Sequence, residues 1–107
     1  MIRNPMIHTE PLDTRPITTH AFRCNGAIVR FRNPLVLTPQ VIGNGILQVS
    51  NDYLGIGVYG VTRGELIAEL ERDFDILWRG LAMTDDADLT KPERILKYNW
   101  IESVFPV

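Results

Sequence analysis

Hydrophobic positions along this chain change their period as the chain proceeds, and each change predicts an element. Residues 1–26 show no period: Pro5, Pro11 and Pro16 alternate with Thr9, Thr14, Thr18 and Thr19. Proline removes a backbone donor and β-branched threonine resists helix, so an extended N-terminal arm is expected over 1–26 and one domain over 27–107. From Ala27 the period is two, with Ala27, Val29 and Phe31 on one strand face and Ile28, Arg30 and Arg32 on the other. Asn33-Pro34 interrupts this strand, and 35–42 is a second extended run in which Pro39 favours an edge or a bulge. Gly43-Asn44-Gly45 tolerates the positive φ of a hairpin turn and joins 35–42 to 46–50. Asn51-Asp52 marks a further turn, after which Leu54, Ile56 and Val58 alternate with Gly55, Gly57 and Tyr59.

Beyond Tyr59 the period lengthens to that of a helix. Leu66, Leu70, Phe74, Leu77 and Leu81 recur at steps of four and three, flanked by Ile67 and Trp78. They predict a helix over 63–82, roughly 30 Å long at ~1.5 Å per residue. Thr62 suits its N-cap, and Glu65 and Glu69 place negative charge near the positive end of the dipole. Such a helix must cover something apolar, and the Leu54/Ile56/Val58 face is the available surface. Thr90 and Glu93 have capping-box spacing, with Pro92 in the first turn, and open a second helix over 91–104. Ile95, Tyr98, Ile101 and Phe105 are its expected apolar positions, with Leu96 and Trp100 to one side. The expected fold class is α+β: an antiparallel three- to four-stranded meander covered by one long helix, with a short C-terminal helix.

At 107 residues, 45% hydrophobic and 22% charged, the chain suits one globular domain and not a disordered segment. No apolar run approaches the ~18 residues of a membrane span, and Met1-Ile2-Arg3-Asn4-Pro5 lacks the apolar stretch of a signal peptide. With a single cysteine, Cys24, no intrachain disulfide can form, and a cytoplasmic setting is expected. The net charge of -2 conceals a division: residues 1–34 hold five arginines against Glu10 and Asp13, whereas 62–90 hold three arginines against eight acids. Two surfaces of opposite sign can serve two partners, or one surface can pair with its opposite number in an oligomer.

Few residues suggest catalysis. His20 and Cys24 stand close in sequence, but no CxxC or second histidine pair supplies a zinc set, and nothing marks an orienting group for a Cys-His nucleophile. Asp85, Asp86 and Asp88 lack the ligand spacing and turn glycine of a calcium loop. Gly55-x-Gly57-x-x-Gly60 has the spelling of a dinucleotide motif, yet the strand alternation runs through its glycines and Thr62 caps the helix after them. Gly55 and Gly57 on one strand face read as a bulge or twist, or else as a shallow lane for a ligand. Arg30 and Arg32, with Arg23 and Phe22 nearby, suit phosphate contact or, equally, a protein partner.

In order, the meander, Leu54-Gly55, and Gly60-x-Thr62-x-x-Glu65-Leu66 opening an acidic amphipathic helix resemble the HicB-like antitoxin family over about residues 27–81. The resemblance implies a partial RNase H-like fold without catalysis that binds and blocks a small RNA-cleaving toxin. Residues 90–107 are too short for the DNA-binding module such antitoxins carry, so direct nucleic-acid binding is not expected. Function is therefore expected to be non-catalytic binding of a toxin-type protein or of further copies of the chain in a homo-oligomer, with no cofactor, metal or membrane. Arg30, Arg32, Tyr59, Trp100 and Phe105 are the candidate partner-binding residues, and a small enzyme using Cys24 and His20 is the competing class.

Overall fold

The computed structural model describes residues 12–106. Five strands precede two α-helices: β1 (Ile17–Cys24), β2 (Ala27–Leu37), β3 (Gln40–Ile42), β4 (Ile46–Asn51), β5 (Ile56–Gly60), α1 (Arg63–Leu77) and α2 (Lys91–Ser103). A π-helical turn at Trp78–Ala82 prolongs α1, and a 3-10 turn at Asp86–Asp88 precedes α2. The architecture is α+β, and its strands form two antiparallel sheets, β1-β2 and β3-β4-β5, instead of one.

β1 lies within the stretch that sequence assigns to an arm, and a register shift explains the difference. Its buried residues change parity from Ile17 to Phe22 and Cys24, because His20 stands opposite residues 31–34 of β2. A bulge of this kind erases the period of two by which a strand is recognised. Asn25 and Gly26, with φ of 52° and 76°, close the β1-β2 hairpin in two residues. Ahead of β1 the chain is tied to α1: the Arg63 guanidinium donates to Asp13 at 3.3 Å and to the carbonyls of Arg15 at 2.6 Å and Pro16 at 3.0 Å. Residues 1–11 of the expected arm lie outside the described residues.

In the second sheet, residues 43–45 make the expected turn from β3 to β4, and β4 pairs with β5 from Leu47↔Gly60 to Asn51↔Ile56. The next connection, into α1, depends on close approach. A Cβ at Gly60 would lie 2.7 Å from the Leu66 backbone nitrogen, so only glycine lets the strand end abut the first turn of the helix. Thr62 then caps α1, its hydroxyl accepting from the Glu65 N–H at 3.1 Å, while the Glu65 carboxylate accepts from the Val61 N–H at 2.9 Å.

Both sheets and both helices share one core. Phe22 and Phe31 from the hairpin, Phe74 from α1, Trp78 from the π-helical turn and Trp100 from α2 meet with ring centroids 5.5–6.3 Å apart, in tilted and edge-to-face pairs. Those geometries suit the ring quadrupoles. Leu47, Val49, Leu54, Ile56, Val58, Leu66 and Leu70 pack around them and are buried. Among the described residues no helix is long and apolar enough to cross a membrane.

Candidate interaction surface

α2 is fastened along one side, and the fastening decides what its other side offers. Its N-terminus carries a full capping box: the Glu93 N–H donates to the Thr90 hydroxyl at 3.3 Å, and the Thr90 N–H donates to the Glu93 carboxylate at 2.8 Å. Those bonds from Thr90 hold Glu93 below its ordinary carboxyl value. Trp100, fully buried, donates its indole N–H to the Leu54 carbonyl at 2.7 Å, and Asn99 donates to the Tyr53 carbonyl at 2.8 Å. Lys97 reaches the Thr84 carbonyl and Asp86, both at 2.7 Å, and lowers the Asp86 carboxyl. The turn beneath is shaped to receive the helix. Gly55 has φ +71°, and a Cβ there would sit 3.1 Å from Leu96 Cδ1.

This seating reverses the expected orientation of α2. Leu96 and Trp100 face the core, while Ile95 (57% exposed), Tyr98 (65%) and Ile101 (48%) face solvent. The two apolar stripes are similar in side-chain size, but only the indole of Trp100 finds both an aromatic cluster and a carbonyl acceptor inside. Tyr53 extends the outer stripe, its hydroxyl donating to Glu102 at 3.2 Å. Desolvation first, and then the Glu102 carboxylate, hold that hydroxyl above its usual value, so it remains a donor at neutral pH.

After α2 the chain returns to the hairpin. Val104 bridges to Phe31, and the Phe105 N–H donates to the Arg30 carbonyl at 2.8 Å. The Arg32 guanidinium lies 5.6 Å from the centre of the exposed Phe105 ring. A notch of about 380 Å³, bordered by Arg32, Tyr53 and Glu102, separates this corner from the outer stripe of α2. The structure thus brings together Arg30, Arg32 and Phe105 from the candidate residues. Tyr59 stands apart on the exposed side of β5, where Gln48 donates to its hydroxyl at 3.4 Å. Trp100 is a core residue and offers no surface. Ile95, Tyr98, Ile101 and Tyr53 belong to the surface although sequence does not single them out as such. A cap at Thr90 and the i, i+3 spacing mark the helix, but not which of its two apolar stripes turns outward.

Other candidate sites are less developed. The Cys24 thiol is buried and pushed up to about 11, first by burial and then by its hydrogen bond with Asp75, whereas His20 is exposed. Among the described residues no group of three or more His, Cys, Asp or Glu side chains is arranged to hold a metal. The glycines of the dinucleotide-like spelling do three separate things: Gly55 turns the chain, Gly57 faces open space, and Gly60 admits α1. The lane expected from two strand glycines therefore reduces to Gly57, whose N–H reaches the Asp73 carboxylate at 3.5 Å. A cleft of about 690 Å³ runs between β1 and α1, floored by Phe22, Leu70 and Phe74.

Comparison with protein-family models, with curated proteins and with solved structures finds no match to this chain.

Proposed function

We propose that this chain is a non-catalytic protein-binding module of the cytoplasm, whose contact surface is the outer face of α2 with Tyr53 and the neighbouring Phe105-Arg32-Arg30 corner. The observation that carries this reading is the solvent exposure of Ile95, Tyr98 and Ile101 on a helix whose opposite side is anchored at Trp100. Apolar and aromatic groups left in water on a well-fixed element regain hydration free energy when another protein surface covers them. An aromatic-rich centre with arginine at its edge is also the composition that protein interfaces favour. The competing enzyme reading has less support, because the Cys24 thiol is buried and pushed up to about 11 while His20 is exposed.

A toxin-type partner, as the resemblance to the HicB-like family implies, is the second reading. Its support is one flank of α1, where Glu65, Glu69 and Asp73 follow at steps of four, with Glu69 already paired to Arg72, and would complement the basic surface that an RNA-cleaving protein needs. In that reading β3–β5 is the meander and α1 its cover, the frame on which α2 is displayed.

The test compares variants in two assays, self-association by sedimentation and binding to the product of the adjacent gene. Tyr98→Ala and Phe105→Ala should weaken whichever association the wild type shows, and Tyr59→Ala should not. Absence of any association, or sensitivity to Tyr59→Ala alone, would remove the reading.

A further inference from the structure

We infer that the partner on this face is a second copy of the chain, with the two α2 helices packed antiparallel about a two-fold axis at Tyr98; this rests on the binding-module reading above. At 100° per residue, Lys91, Arg94, Ile95, Ile101 and Glu102 all project within about 60° of Tyr98, opposite the buried Trp100 side. Tyr98 is the most exposed large hydrophobic residue of the described chain. Residues equally far from it in sequence come level in an antiparallel pair: Ile95 with Ile101, and Arg94 with Glu102. Beyond the helix, Lys91 comes level with the Phe105 ring.

Each of these matches is complementary, apolar with apolar, cation with carboxylate, and cation with aromatic face. The two-fold axis makes every one of them occur twice. Among the described residues neither Lys91 nor Arg94 forms a salt bridge within its own chain, although Arg94 is near enough to Asp86 to help lower its carboxyl. Arg94 uses only its Nε locally, toward the Leu89 carbonyl, and Glu102 uses only Oε2, toward Tyr53. Terminal nitrogens on one side and a carboxylate oxygen on the other are thus available across the axis. A parallel pair would set Lys91 and Arg94 against themselves, and an unrelated partner has no need of a pattern symmetric about Tyr98.

The apolar part of the patch is on the order of 400 Å² per copy, about half of a standard interface side. A patch of that size makes the charge pairs at its edges matter for association.

A charge-exchange cycle read by sedimentation equilibrium tests the assignment on the full chain. Arg94→Glu and Glu102→Arg each place like charges across the axis twice and should weaken dimerisation about tenfold or more. The double exchange should restore it to within about threefold of wild type. Both changed side chains are exposed, so circular dichroism should show an unaltered fold. A wild type that stays monomeric at high micromolar concentration would overturn the inference, as would a dimer indifferent to both single exchanges or one the double exchange fails to rescue. A monomer that binds the adjacent gene's product through Tyr98 overturns the second copy while leaving the binding-module reading in place.

Discussion

Replacing Trp100 by Phe probes the contact that orients the whole surface. The indole is fully buried, packs with centroids 5.7 Å from Phe22 and 6.1 Å from Phe74, and donates to the Leu54 carbonyl at 2.7 Å. Phenylalanine keeps one ring in the cluster but leaves that buried carbonyl without a donor, which costs about 1–3 kcal/mol. The smaller ring also leaves a void, for about 1 kcal/mol more. A total near 3 kcal/mol is a large share of the ~5–15 kcal/mol that holds a domain of this size together. Urea unfolding followed by far-ultraviolet circular dichroism avoids the lost tryptophan signal. With a slope of ~1–3 kcal/mol per molar, the midpoint should fall by about 1–3 M with the slope unchanged. Trp78→Phe is the control, since Trp78 shares the cluster at 5.9 Å from Phe22 and is only half-buried, with no indole hydrogen bond found among the described residues. Equal midpoint shifts for the two variants would show that the Leu54 bond does not anchor α2, and the outward assignment of Ile95, Tyr98 and Ile101 would lose its basis.

Other consequences follow from the same geometry. Gly60→Ala should destabilise by about 2 kcal/mol or more, because the added methyl meets the Leu66 backbone and not a yielding side chain, while Thr62→Ala should cost about 1 kcal/mol through loss of the cap; urea midpoints that do not rank the two in this order would refute it. The Cys24 thiol should react with a disulfide reagent no faster than the native state opens, and rapid labelling of the folded protein would contradict its burial. Asp75 and Asp86 are held below ordinary carboxyl values, chiefly by hydrogen bonds from Cys24 and Lys97. Lowered folded-state values give stability that is present above the unfolded carboxyl range near pH 4 and is lost as pH falls through the folded values. Asp73 has the opposite sign, raised first by burial, so Asp73→Asn should gain stability at pH 7 and lose that gain below about pH 4; urea midpoints measured across that range check both directions.

Local chemistry was legible in the sequence wherever it acts over a few residues. Thr62 with Glu65, Thr90 with Glu93, and the turn at residues 43–45 are complete in themselves and occur where their spacing implies. Long-range conditions were not legible. β1 escapes a search for alternation because the bulge at His20 shifts its inward residues from odd to even positions. A signal for it existed all the same, since Asn25-Gly26 is a strong two-residue hairpin dipeptide standing between two β-rich runs. α2 shows the other kind of difference. Its two apolar stripes cannot be told apart by periodicity, and the choice between them falls to the Leu54 carbonyl and the aromatic cluster, which distant segments supply. The candidate surface inherits that ambiguity: Arg30, Arg32 and Phe105 converge, Trp100 turns inward, and Tyr98 takes its place outside.

The most direct measurement is symmetric cross-linking at Tyr98. In a chain whose native thiol is removed by Cys24→Ser, Tyr98→Cys places a thiol on the proposed axis, where it meets its own copy. Loss of the ring weakens the reversible pairing, but each encounter at the axis is trapped covalently, so mild oxidation should accumulate a disulfide-linked dimer from Tyr98→Cys, while Tyr59→Cys, exposed on β5, should remain monomeric under the same conditions. No cross-linked dimer from Tyr98→Cys, or an equal yield from both positions, would contradict the assignment of α2 as the face on which this protein binds its own kind.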